Sequence, residues 1–112
     1  MTPVIEVSDF ERVDVRVGRI LSAEKLPGAR KPSYRIEVDL GPLGRRCSVA
    51  ALAVDYRLEQ LAGRQVVCVV NFPPRRVAGV KSEVLILAAI EDSGGLRLLS
   101  PQPEAELGSR VA

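Results

Sequence analysis

The residues whose types and spacing suggest chemistry lie close together: Asn71-Phe72-Pro73-Pro74-Arg75-Arg76, followed by Lys81-Ser82-Glu83. Consecutive prolines hold φ near −65° and stiffen the segment that carries the cations. An arginine guanidinium is a planar fork matched to phosphate oxygens, and each phosphate contact displaces a counterion. Arg75, Arg76 and Lys81 therefore read as phosphate contacts. The competing reading is a solvated loop whose arginines pair with Glu83 or Glu59. Phe72 is either a stacking platform or a plug at one end of the core. With only Phe10, Tyr34, Tyr56 and Phe72 as aromatics, the chain is short of rings for a single-strand binder. A folded RNA, read by its shape and phosphates, is the nucleic acid that fits better.

Other chemistry has little to work with. There is no histidine, which removes the commonest general base and zinc ligand and every Ser-His or Cys-His nucleophile pair. Cys47 and Cys68 lack CxxC spacing and read as free thiols within apolar runs. Asp14, Asp39, Asp55 and Glu83 are spaced as outward strand or helix residues, with nothing to bring two of them to one substrate bond. No catalytic residue, metal site or cofactor is expected, and the chain reads as a binding protein and not an enzyme. Charge is unevenly distributed. Residues 45–81 carry seven cations and two acids, residues 1–44 balance, and residues 82–112 carry five acids against two arginines.

These residues need elements to position them. At 112 residues and 46% apolar, one domain spanning 1–112 with one small core is expected. No run of about 18 apolar residues exists, which excludes a membrane span by helix. The opening MTPVIEVSDFERV lacks a basic-then-apolar leader, so a cytoplasmic location is expected. Ser8 with Glu11 suggests a capped turn of helix. Residues 13–20 alternate as a half-buried strand in which Gly18 marks a bulge or bend, and 34–40 alternate with Tyr34, Ile36, Val38 and Leu40 inward. The connection Gly41–Gly44 leads to a strand at 45–50 pairing back antiparallel. Val54, Leu58 and Leu61 fall on one face of a short helix that Gly63 ends. QVVCVV at 65–70 and EVLILAAI at 83–90 read as core strands, with a last strand-like piece at LRLL. The order is β-β-β-α-β-β, which predicts an all-β fold: a five-stranded OB-fold Greek-key barrel with one short helix between strands 3 and 4 and short terminal extensions. The segment at 71–83 is then the loop between the fourth and fifth strands.

Several spaced pieces together resemble the tRNA-binding domain family. They are DVRVGRI at 14–20, Pro27-x-Ala29, Val38-Asp39-x-Gly41, Gly63, Asn71-Phe72-x-Pro74-Arg75-Arg76 and Gly79-Val80-x-Ser82-Glu83. The likeness runs from about Asp9 to Ile90, and it is narrower to the stand-alone branch described as export-related chaperones. It implies an OB-fold core at about 9–90 that binds tRNA through Arg75, Arg76, Lys81 and Ser82, with Asn71, Arg30, Lys31, Arg45 and Arg46 as further candidates. It also implies a homodimer whose interface uses the termini, 1–8 and 91–112, with Val4, Ile5, Val7, Phe10, Leu96, Leu98 and Leu99 as candidate contacts. Where the family keeps Gly-Met after the serine, this chain has Val84-Leu85. Those apolar side chains, with Phe72, would suit exposed polypeptide.

The expected function is a non-enzymatic homodimeric binder of structured tRNA, an export-related chaperone for unfolded or precursor polypeptides, or both. The alternative is a purely peptide-binding chaperone with little RNA binding. Partners expected on these readings are tRNA or another structured RNA, a second copy of the chain, unfolded clients and the export machinery.

Overall fold

The computed structural model describes residues 2–112. The first element is a five-residue helix, α1 (Val7–Glu11), whose N-cap, Glu6, lies two residues before the expected Ser8. Asp9 accepts the Glu6 N–H at 3.0 Å, so the capping carboxylate is the aspartate and not Glu11. β1 (Val15–Leu26) follows and is twelve residues long. Its first half pairs antiparallel with β4 (Gln65–Val69), and its second half with β2 (Ser33–Asp39). The changeover falls at Arg19, which faces both Gln65 and Asp39, and a register shift between Ile20 and Ser22 follows within the β1–β2 pairing. Gly18, expected as the bulge, serves a different need. A Cβ there would lie 2.5 Å from Val38 Cγ1 and 2.8 Å from Leu40 Cδ2, so only glycine lets β2 cross so near.

β2 turns through one 3-10 turn at Gly41–Leu43 into β3 (Arg45–Ala50), and these strands pair antiparallel in register. Tyr34, Ile36, Val38 and Leu40 all point into the core, as their alternation predicts. The helical segment between β3 and β4 is shorter than expected, a single 3-10 turn at Leu58–Gln60. Val54 is 77% exposed, while Leu61 is fully buried. The carboxylate of Asp55, next to Val54 in the chain, accepts Leu96 N–H at 3.2 Å.

After β4 the chain departs from the expected loop and single strand. Residues 75–82 form a hairpin of β5 (Arg75–Val77) and β6 (Val80–Ser82). The run at 83–90 is split between β7 (Leu85–Ile86), which pairs with β4, and β8 (Ala88–Ile90), which pairs with β9 (Leu96–Leu98). A continuous apolar run has no alternation to mark where one pairing ends and another starts. The main sheet runs in the order β3-β2-β1-β4-β7 and curls, giving the OB-like barrel that the element order predicts. Its core includes Ile20, Ile36, Leu52, Leu61, Val66 and Ile86.

The barrel's seam is closed largely by side chains. Glu83 N–H donates to the Cys47 carbonyl at 2.8 Å, and the Glu83 carboxylate accepts Cys47 N–H at 3.0 Å. Beside them the Ser82 hydroxyl accepts Val49 N–H at 2.9 Å. The C-terminal tail occupies the edge of β1 that β2 leaves free, through Gly108 N to Val17 O at 2.8 Å and Val111 N to Val15 O at 2.8 Å. Buried Gln65 clamps the tail by bonding both backbone groups of Ala105, at 2.7 and 3.0 Å. Arg19 with Glu104 adds an exposed ion pair at 3.0 Å; the shared hydrogen bond holds the Glu104 carboxyl below its ordinary range.

Candidate nucleic-acid interface

The hairpin turns on Ala78 (φ 49°) and Gly79 (φ 82°), both in the left-handed region. Positive φ at both central residues defines the two-residue turn that matches the twist of paired strands. Alanine in place of the usual asparagine or aspartate hid this hairpin from the sequence. In consequence the cations stand on a paired ribbon entered through Pro73 and Pro74 instead of on a braced loop.

Register distributes those cations. Arg76 stands directly opposite Lys81, while Arg75 stands opposite Ser82. Side chains opposite one another share a face, so two like charges sit side by side, an arrangement that costs stability. All three are exposed, and among the described residues none is in an ion pair. The carboxylates that could have neutralised them are engaged elsewhere. Glu83 accepts the Cys47 amide, and Glu59 pairs with Arg57 at 3.3 Å. Arg76 donates to the Gly79 carbonyl at 3.2 Å, which reaches back over its own turn.

The β1–β2 connection meets this hairpin at its tip. A Cβ on Gly28 would lie 3.8 Å from Ala78 Cβ. Between the two loops runs an open groove whose walls include Lys25, Pro27, Gly79 and Lys81. Lys25 carries no sequence signal of its own, because the alternation read at 13–20 stops short of it, whereas β1 runs on to Leu26. Arg30 and Lys31, expected here, are exposed on the same connection and form no ion pair among the described residues. Lys25 and Lys81 thus share one rim with Glu24, Arg35 and Glu83, while Lys31 lies on a separate groove beside Val54, Asp55 and Glu91.

Other expected positions are committed elsewhere. Ser82 is 6% exposed and holds the seam. The Asn71 amide is used twice on backbone, accepting Asp14 N–H at 2.9 Å and donating to the Arg12 carbonyl at 2.8 Å. Arg45 pairs with Glu37 at 3.4 Å, and Arg46 donates to the Arg45 carbonyl at 3.1 Å. Both border a cleft of 330 Å³ of mixed charge that also contains Arg35, Glu37, Cys47 and Glu83. Cys47 is half-buried, and burial pushes its thiol up against the opposing pull of Arg35. Cys68 is buried, with its thiol pushed up to about 12, and both cysteines are free. Among the described residues no group of three His, Cys, Asp or Glu side chains could hold a metal ion, and no helix is long and apolar enough to cross a membrane.

Two grooves flank Arg75. One, of 310 Å³, is walled by Phe72, Pro73, Leu85 and Ser82, with Val84 at its floor. Val84 belongs to the core at 5% exposure, while Phe72 and Leu85 remain about half open. The other, of 320 Å³, lies between the end of β3 and the β7–β9 segment, with Val49, Leu52, Leu87 and Ile90 on its walls. Of the terminal apolar residues, Val4, Ile5, Val7, Phe10 and Leu99 are exposed, whereas Leu96 and Leu98 pack on the core.

Known proteins share this fold. The family model for the tRNA binding domain matches residues 15–110. The chaperone CsaA from Bacillus anthracis superposes with a TM-score of 0.92 at 42% identity, covering 98% of this chain and 100% of that one. The CsaA chaperone from Picrophilus torridus superposes with a TM-score of 0.90 at 35% identity, covering 97% of this chain and 100% of that one. The methionine–tRNA ligase of Porphyromonas gingivalis is 42% identical over 107 residues, which is 96% of this chain and 15% of that enzyme. The chain therefore spans about 15% of the length of the curated relatives it matches.

Proposed function

This chain belongs to the tRNA-binding domain family and is CsaA-like in fold, and from that premise we propose that it grips structured tRNA by its backbone. In this reading Arg75, Arg76 and Lys81 on the hairpin contact phosphates, with Lys25, Arg30 and Lys31 extending the footprint along the facing connection. The observation that carries the reading is the Arg76–Lys81 pair, two cations held side by side on a paired ribbon and, among the described residues, in no ion pair. Such an arrangement costs folding energy and is relieved by a polyanion. Arg45 and Arg46 are secondary contacts because each already has a partner. The chain acts by binding, without catalysis of its own.

A second, compatible activity is supported by the apolar grooves beside Arg75 and by the exposed Phe72, Leu85 and Ile90. These suit segments of unfolded or precursor polypeptide, as an export-related cytoplasmic chaperone would hold them. The exposed Val4, Ile5, Val7, Phe10 and Leu99 suit a homodimer interface, and pairing two hairpins in one dimer raises avidity without new contacts. The decisive experiment titrates salt against binding of total tRNA and of an unfolded polypeptide in parallel, with gel filtration to fix the assembly. Binding to tRNA must fall steeply with salt and binding to polypeptide must not. Affinity for tRNA that is indifferent to salt would remove the phosphate reading.

A further inference from the structure

Arg75 occupies a position that a purely hydrophobic docking site would not need. Among the described residues it is the one charged residue on the wall of the 320 Å³ groove, whose other walls include Val49, Leu52, Leu87, Ile90 and Leu96. Together with Leu85 it also borders the groove that contains Phe72, so the two residues form the ridge between them. Its guanidinium is exposed and, among the described residues, in no ion pair. An apolar ligand laid along these walls would strip water from that charge and leave it without a partner. A carboxylate on the ligand reverses that cost, and attraction is stronger beside apolar walls than at the open hairpin tip. Nucleic acid fits poorly, since the groove offers one cation and no aromatic ring.

We propose that this groove takes an extended apolar polypeptide segment bearing one carboxylate at its end, which pairs with Arg75. The inference rests on the polypeptide half of the function proposed above and names the chemistry of that ligand. Ile90 at 76% exposure and Leu85 at 40% leave the groove open along its side, as a chain passing through requires. Because Arg75 also belongs to the hairpin, a polypeptide seated here removes one phosphate contact, so the two ligands compete.

Three labelled eight-residue peptides of leucine and alanine, amidated at the C-terminus so that no α-carboxylate remains, test this; they are identical except for a terminal glutamate, glutamine or lysine. Binding is read by fluorescence anisotropy with the wild-type chain and with Arg75→Glu, Arg76→Glu and Ile90→Asp. The glutamate peptide should bind about fivefold tighter than the glutamine peptide, the ratio expected of one partly exposed ion pair. Arg75→Glu should abolish that preference and favour the lysine peptide, whereas Arg76→Glu should weaken tRNA binding and leave the preference intact. Ile90→Asp should lose all three peptides without changing the elution volume. Equal binding of the glutamate and glutamine peptides overturns the anchor while the groove stands. A chain that binds tRNA but no peptide removes the anchor and the polypeptide reading together. A smaller species on Ile90→Asp assigns the groove to a second copy, and displacement of the peptide by equimolar decanoate assigns it to a fatty acid; either result overturns the proposal.

Discussion

Replacing Arg76 and Lys81 together by alanine should weaken tRNA binding while leaving the fold as stable as before or slightly more so. The two side chains face each other across the hairpin, and neither has an ion-pair partner among the described residues. Each phosphate contact contributes about 0.9 to the slope of log K against log salt, so losing two lowers the slope by about 1.8. Between 50 and 200 mM salt, a fourfold range, the wild-type chain should then lose about tenfold more affinity than the double variant. On the stability side, opposing like charges cost about 0.2–1 kcal/mol. With an unfolding entropy of about 2.1 cal/mol/K per residue over 112 residues, relief of half a kcal/mol raises Tm by about 2 °C. Loss of the exposed Arg76 bond to Gly79 offsets part of that gain. Filter binding of total tRNA across the salt series gives the slope, and thermal unfolding gives the stability. An unchanged salt slope refutes the assignment of these residues to phosphate. A clear fall in Tm refutes the claim that their juxtaposition is unfavourable in the free protein.

Three further perturbations separate fold from site. Ser82→Ala leaves buried Val49 N–H without its acceptor, so thermal unfolding should show a loss of about 1–3 kcal/mol, with tRNA affinity per folded molecule unchanged. Gly18→Ala places a Cβ against Val38 and Leu40, and overpacking of this kind should cost about 1–3 kcal/mol in a denaturant titration. The Glu104 carboxyl is held low by Arg19, so its contribution to stability is present above its ordinary pKa of 4.5 and is lost as pH falls below it. Thermal unfolding between pH 6 and 3 should accordingly show a steeper decline for the wild-type chain than for Glu104→Gln.

Alternating positions are legible in the amino-acid sequence. Tyr34, Ile36, Val38 and Leu40 declare their inward face, and turn chemistry at Gly41–Gly44 declares the antiparallel return to β3. The basic segment at 71–83 is equally plain as a set of residue types. Its form is not, because Ala78 adopts a left-handed φ that asparagine would have advertised. The same blindness applies to Ser82 and Asn71. Both stand in a segment that looks like a site, and both spend their polar groups on backbone brought from 33 and 57 residues away. The helix expected from Val54, Leu58 and Leu61 is reduced to one 3-10 turn, with Val54 left exposed and Asp55 bonded across the chain to Leu96.

The amino-acid sequence by itself determined the inward faces of the strands that curl into the sheet, the lack of histidine and the central cluster of cations, since periodicity and residue type are local properties carried by near neighbours. Which cations remain unpaired was decided only by tertiary structure. Glu83 turned inward to the Cys47 amide, Glu59 turned to Arg57, and the β1–β2 connection came to rest against the tip of the hairpin. Charge neutralisation falls off within a few ångströms, so it depends on which side chains the folded backbone brings together, and that is not a function of their distance along the chain.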